Sequence, residues 1–187
     1  MQPPMSLRTP IVFGFRLGQG LRRWGGQRDK GGRPMSREIE LVQAREEDLE
    51  ELTKICIRAF HTDIDCGAPE VGGPPGYDDI SYQRRVLERA HEYLKIVMDG
   101  SMVGGFLVLQ DAEDEFYLSQ LSLDPSCYRQ GVGTRAMELM FERYPQARRW
   151  TTDTPAWNTR TRPFYEKLGF RNYKEEDGLL HFEKLME

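Results

Sequence analysis

From Ser36 onward, apolar residues recur along the chain with two periods, and each period predicts an element. Ile39 and Leu41 alternate with polar neighbours up to Gln43, as in a first strand. The acidic run Glu46-Glu47-Asp48 then suits the positive end of a helix. Leu49, Leu52, Cys56, Ala59 and Phe60 make that helix's inward stripe, which should fail near His61. Residues 61–79 break both periods, because four glycines and three prolines forbid a long helix or a central strand. A second helix is predicted over 80–91 with Ile80, Val86, Leu87 and Ala90 inward. Strands over 93–98 and 102–109 flank the hairpin signal Asp99-Gly100. A third, over 115–123, stops at Asp124-Pro125, since proline has no amide for a ladder. A glycine-rich entry leads into a helix over 131–144, in which Val132, Ala136, Leu139, Met140 and Tyr144 share a face. A short strand over 148–153, a last helix over 158–168 and closing strands over 170–173 and 179–185 complete the chain. The order βααβββαβαββ predicts an α/β layer fold, a mixed sheet with helices on both faces. The hairpins make its first half antiparallel, and the 131–144 crossover should leave the strands on either side of it parallel.

With 187 residues, 39% of them hydrophobic, one domain with a real core is expected. Cys56, Cys66 and Cys127 form no CxxC pair and leave an odd thiol, which fits a reducing cytoplasm rather than a disulfide scaffold or a zinc site. His61, His91 and His181 make no metal-binding pattern, and no apolar run is long enough to span a membrane. Charge divides the chain. Residues 1–34 carry seven positive side chains against one negative, and the rest carries nineteen against twenty-nine. The acidic body disfavours nucleic acid and favours cationic ligands such as amines. The Gly/Arg-rich segment 1–34 reads as an extension outside the 35–187 domain. It has three readings: an organellar transit peptide, a disordered basic arm, or no native segment at all. The third rests on Lys30-Gly31-Gly32, whose codons can spell a ribosome-binding site before a start at Met35.

Two stretches carry candidate chemistry. The long loop 61–79 gathers Asp63, Asp65, Glu70, Asp78 and Asp79 with Tyr77. It reads either as a solvated surface loop or as a substrate-facing loop whose carboxylates attract a cation. It lacks the spacing of a calcium loop. The stretch LSLDPSCYRQGVGT, residues 121–134, reads as strand, turn and glycine-rich helix entry. Gly131 and Gly133 would let an anion approach the partnerless amides of the helix start, with Arg129 at the rim. Gly131-x-Gly133-x-x-Ala136 also matches a dinucleotide fingerprint, but seven residues separate it from the strand, where the fingerprint allows none. A nucleotide-hydrolase phosphate loop fails as well, since no Lys-Ser/Thr follows Gly133.

LSLDPSCYRQGVG resembles motif A of the GNAT superfamily of acetyl-CoA-dependent N-acetyltransferases, and WNTRTRPFYEKLGF, residues 157–170, resembles its motif B. The spacing and element order match over about residues 36–187. The resemblance implies a mixed, mostly antiparallel sheet splayed at the cofactor site. It implies that the coenzyme A pyrophosphate lies on the loop Arg129, Gln130, Gly131, Val132, Gly133 and Thr134. Leu121, Ser122 and Leu123 would pair with the pantetheine arm, and Asn158 would touch the cofactor. Tyr128 stands where the family has Arg or Gln, and Thr161 where it has alanine. The implied chemistry is direct attack of a neutral amine on the thioester. The Leu123 amide would stabilise the oxyanion, and Tyr165 would protonate the departing thiolate. Glu115, Asp153 and a loop carboxylate acting through water stay open as general base. Cys127, in a turn with no neighbouring histidine, reads as filler rather than as a ping-pong nucleophile. The expected acceptor is a small primary amine, with a peptide N-terminus or lysine as the alternative. A longer acyl-CoA donor and a non-catalytic coenzyme A sensor are the rival readings. No metal is expected, and the last strands leave a homodimer open.

Overall fold

The structure, a computed structural model, describes residues 37–187. The basic segment 1–34 and the start at Met35 lie outside the described residues. Seven strands form one sheet: β1 (Ile39–Gln43), β2 (Glu92–Met98), β3 (Ser101–Ala112), β4 (Glu115–Leu123), β5 (Arg149–Pro155), β6 (Arg171–Glu176) and β7 (Leu179–Leu185), in the order β1-β2-β3-β4-β5-β7-β6. Neighbours are antiparallel except β4 and β5, which run parallel and are joined by the crossover helix α3 (Val132–Arg143), the kind of long connection that parallel neighbours need. The mixed, mostly antiparallel α/β fold expected from the sequence is therefore present.

Helices cover both faces. α1 (Leu49–His61) and α2 (Ile80–Arg89) bury Leu49, Leu52 and Val86 against Tyr93 and Leu107. On the other face, α3 and α4 (Thr161–Lys167) bury Val132, Ala136, Met137, Met140 and Tyr165 with Leu121, Leu123, Trp150 and Phe182.

Four details depart from the sequence expectation. A 3-10 turn, Glu46–Asp48, precedes α1 instead of its first helical turn. Ile80 is exposed at the start of α2, and the inward position belongs to Gln83, whose amide oxygen accepts from the Tyr93 hydroxyl at 2.9 Å. Met137 rather than Leu139 is fully buried in α3. The last helix begins at Thr161, not 158, because Asn158 folds back to cap it.

A bulge on β4 sets up everything that follows. Leu107 pairs with Gln120 and Val108 with Leu118, so Ser119 is an extra residue on the β4 side. Leu118 and Leu121 are three apart and would face opposite ways in a regular strand, yet both enter the α3–α4 core. The inserted residue reverses the alternation between them.

Candidate active site

β4 and β5 part company just where β4 bulges. Their pairing runs through Glu115–Arg149, Phe116–Trp150 and Tyr117–Thr151 and goes no further among the described residues. The Thr152 hydroxyl bridges the vertex by donating to the Leu118 carbonyl at 3.0 Å. Beyond it β4 keeps β3 as its partner. The Asp124 amide donates to Val103 of that neighbour at 2.8 Å. Successive residues of a strand present their amides to opposite edges. The Leu121 and Leu123 amides consequently point away from β3, into the opening between the parted strands. That stretch of edge suits an extended, amide-bearing ligand.

The opening leads to the start of α3. Asp124 accepts from Ser126 N at 3.0 Å and so caps the 3-10 turn Pro125–Cys127. Arg129 and Gly131 then take left-handed backbone angles (φ 57° and 80°) that swing the chain into the helix. Arg135 N donates to Gly131 O at 2.9 Å, and the amides of Val132, Gly133 and Thr134 precede that bond. No side chain caps them, so they face the groove as a set of donors at the positive end of a three-turn helix. The groove, about 340 Å³, runs from Leu123 past Arg129, Gly131, Val132, Gly133 and Thr134, and its opposite wall is Arg160, Pro163, Phe164 and Lys167. Arg129 and Lys167 thus rim a row of helix-start amides, with the Arg160 guanidinium turned away to Asp63 and Thr62, an arrangement suited to a polyanion.

The structure brings six of the expected residues to this groove and sets the others behind it. Leu121 offers the opening only its backbone, and the Ser122 backbone is turned to β3. The Ser122 hydroxyl faces the opposite side of the sheet, 3.5 Å from the Cys56 sulfur. Gln130 is engaged with its neighbours: its amide donates to Ser126 O at 2.5 Å and its oxygen accepts from Arg37. Asn158 is buried; its oxygen accepts from the amides of Arg160 (3.1 Å) and Thr161 (3.2 Å), and its nitrogen donates to Asp63 Oδ1 at 3.4 Å. Tyr165 is fully buried beside Phe164, Phe170 and Phe182. Its hydroxyl makes no hydrogen bond. Burial holds its pKa well above the usual phenol value; the Thr152 hydroxyl opposes this and the Asp153 charge adds to it.

With the geometry in place, known proteins can be set beside it. The acetyltransferase (GNAT) family pattern matches residues 57–170, more than half of the chain. The chain belongs to the GNAT acetyltransferase family. The uncharacterized protein YrkN of Bacillus subtilis is 31% identical over 144 residues, which is 71% of this chain and 72% of that one. The fold matches a PaiA N-acetyltransferase of Thermoplasma acidophilum solved with coenzyme A, at a TM-score of 0.67 and 18% identity over 80% of this chain and 99% of that one. It also matches a ribosomal-protein-alanine N-acetyltransferase of Brucella melitensis, at 0.58 and 18% identity over 79% and 99%.

In this GNAT protein the three candidate bases occupy different surroundings. Glu115 forms an ion pair with Arg149 (3.1 Å) at the paired end of β4, before the strands part. Asp153 of β5 is buried, accepts from the Tyr117 hydroxyl at 3.0 Å and lies 3.8 Å from His181 Nδ1. Asp63, in the loop after α1, is buried against Arg160 at 3.3 Å. Burial raises its carboxyl, while the Arg160 charge and the Asn158 amide oppose the rise. Arginine stays protonated, and the two charges compensate each other's desolvation.

Sequence reasoning missed the far wall of the groove. Its signal was present: Arg160, Pro163, Phe164 and Lys167 lie at i, i+3, i+4 and i+7, one face of a helix. It also missed the buried polar cluster beneath β4, where Gln120 Nε2 donates to the Cys56 sulfur at 2.7 Å. Burial pushes the Cys56 thiol up to about 11, against the pull of Ser122, Gln120 and Tyr93. Cys56 looked like an ordinary member of an apolar stripe, so no local pattern marked it.

Proposed function

We propose that this GNAT protein is an N-acetyltransferase that moves an acetyl group from acetyl-CoA directly to a primary amine of a small molecule in the cytoplasm. The single observation that carries the reading is the continuity of an unpaired β4 edge with the uncapped start of α3. The edge fits a pantetheine arm, and the helix start fits the diphosphate beyond it. The coenzyme A bound to the Thermoplasma relative supports the choice of donor. The three free cysteines support the compartment.

Bound in this groove, acetyl-CoA supplies an activated thioester. The Leu121 and Leu123 amides orient its arm, and the Leu123 amide donates to the carbonyl oxygen as negative charge develops there. The amides of Val132, Gly133 and Thr134, with Arg129 and Lys167, hold the phosphates. As the N–C bond forms and the C–S bond breaks, the amine nitrogen gives one proton to water and the sulfur takes one from Tyr165, whose phenol water then reprotonates. Tyr165 holds the proton destined for sulfur; burial makes its phenol a weaker acid, so the transfer waits until negative charge has built up on the sulfur. Direct transfer is favoured because Cys127 has no histidine near it in sequence; burial also pushes its thiol up and the Asp124 charge adds to this, while Ser126 and Arg37 oppose the rise.

Calorimetry with acetyl-CoA and coenzyme A, followed by detection of free thiol against a panel of amines, tests the proposal. Binding of both, with amine-dependent thiol release, is expected. A folded chain that binds neither would overturn the reading, and binding without turnover on any amine would leave a coenzyme A sensor.

A further inference from the structure

A second cavity, about 300 Å³, opens on the other side of the Asp63–Arg160 ion pair. Asp63, Glu70, Pro74, Pro75, Pro155 and Trp157 are among the residues around it. Arg160 belongs to the wall of the α3 groove and Asp63 to the wall of this cavity. One buried ion pair therefore has a residue on each of the two spaces, which lie next to each other.

The loop that roofs the cavity is anchored. Thr159 N donates to Cys66 O at 3.2 Å, and Arg160 Nη2 donates to Thr62 O at 3.1 Å. Gly67 sits at φ 105°, and a Cβ there would come within 2.6 Å of the Trp157 carbonyl, so the loop lies directly on the β5–α4 connection. At its other end His61 Nε2 and the Tyr77 hydroxyl are 2.9 Å apart, and Tyr77 meets Phe60 edge-on. These ties hold the shape of the cavity without a ligand, as small-molecule sites commonly require.

The chemistry around the cavity is one-sided. Trp157 and the prolines present apolar surface, Glu70 is a carboxylate at the wall, and the Asp63 carboxylate is shared with Arg160 behind it. No lysine or arginine lines the cavity among the described residues. An aromatic face beside carboxylates attracts an organic cation and repels a carboxylate-bearing one. The volume is at the lower end of the usual range for small-molecule sites, about 300–1,000 Å³. We propose that this cavity is the acceptor site and that it selects compact aralkyl primary amines, with the apolar body on Trp157 and the prolines and the amine end toward Asp63 and Glu70. Free amino acids are disfavoured because their carboxylate would meet the acidic wall. Peptides are disfavoured by size. The inference rests on the acetyltransferase reading for the word acceptor, but the selectivity of the cavity can be measured without acetyl-CoA.

The test is calorimetric titration of the full chain with 2-phenylethylamine, butylamine, phenylalanine and an alanine-led tetrapeptide, each without and with coenzyme A. Phenylethylamine is expected to bind at least about tenfold more tightly than the other three. Trp157→Ala should weaken it roughly tenfold and Trp157→Phe should restore most of the loss. Glu70→Gln should weaken it several-fold without moving the melting temperature. All three variants should keep the wild-type affinity for acetyl-CoA. Where turnover is observed, the same variants should raise KM for phenylethylamine far more than they lower kcat. Preference for the tetrapeptide or for phenylalanine would overturn the proposal, as would phenylethylamine binding that ignores both positions. If acetyl-CoA fails to bind while phenylethylamine binds in this pattern, the donor reading falls and the amine cavity stands.

Discussion

Gly131 offers the sharpest test of the donor groove, because strain and ligand contact can be separated there. Its φ of 80° is left-handed, so alanine at this position costs about 1–2 kcal/mol of strain. An added Cβ meets no atom within 4 Å, which means that no packing clash adds to that cost. For a chain of this size the expected fall in Tm is about 2–8 °C. Gly100, in the β2–β3 turn, has the same geometry, with φ 79° and no atom within 4 Å, but it stands away from the groove. Gly100→Ala should therefore cost the same stability and leave acetyl-CoA binding alone. Gly131→Ala should weaken binding as well if the proposed cradle holds, because the methyl group would enter the open space beside the first amides of α3. Each charge-assisted hydrogen bond lost is worth about 1.5–3 kcal/mol, or roughly 10- to 150-fold in Kd. Gly131→Glu, with a negative charge set against a diphosphate, should abolish measurable binding. Differential scanning fluorimetry gives the stability arm and calorimetry with acetyl-CoA gives the binding arm. A folded Gly131→Glu variant that binds acetyl-CoA within twofold of wild type would refute the cradle.

Tyr165→Phe should lower turnover by roughly 10- to 1,000-fold in the thiol-release assay while acetyl-CoA affinity holds. Because the hydroxyl it removes is buried without a hydrogen bond, its Tm should stay level or rise; unchanged turnover would place the acid elsewhere. The acid limb of stability should carry the signature of Asp124. Burial pushes this carboxyl up, but Ser126 and Arg58 (2.7 Å) pull it below the ordinary value overall. A depressed folded pKa stabilises the protein above the unfolded value, near 3.9, and that contribution is lost as pH falls below it. Asp124→Asn should consequently flatten the fall in urea midpoint between about pH 5 and pH 3, and an unaltered slope would assign that limb to other carboxylates.

The glycine-rich start of α3 could be read from the chain because its determinants are local. Glycines at fixed offsets, a proline that ends β4 and a helical stripe after it define strand, turn and helix within fourteen residues. The opposite wall was half legible: Arg160, Pro163, Phe164 and Lys167 share a helical face, but nothing local says which cavity that face meets. Gln83 shows the limit from another side. Glutamine is a poor candidate for burial until the Tyr93 hydroxyl arrives from another strand to satisfy it.

Periodicity and turn chemistry act over a few residues, which is why element order, the parallel β4–β5 pair and the glycine-rich entry to α3 stand in the linear chain. The parting of those strands is different. It depends on a single inserted residue, Ser119, and on the absence of β5 beside Leu121 and Leu123, which only paired strands reveal. So does the meeting of Asp63 with Arg160, ninety-seven positions apart, which ties a loop that could have been mere solvated surface to the groove beside it. Contacts of that separation are chosen by how whole layers pack, and no short window of sequence contains both partners.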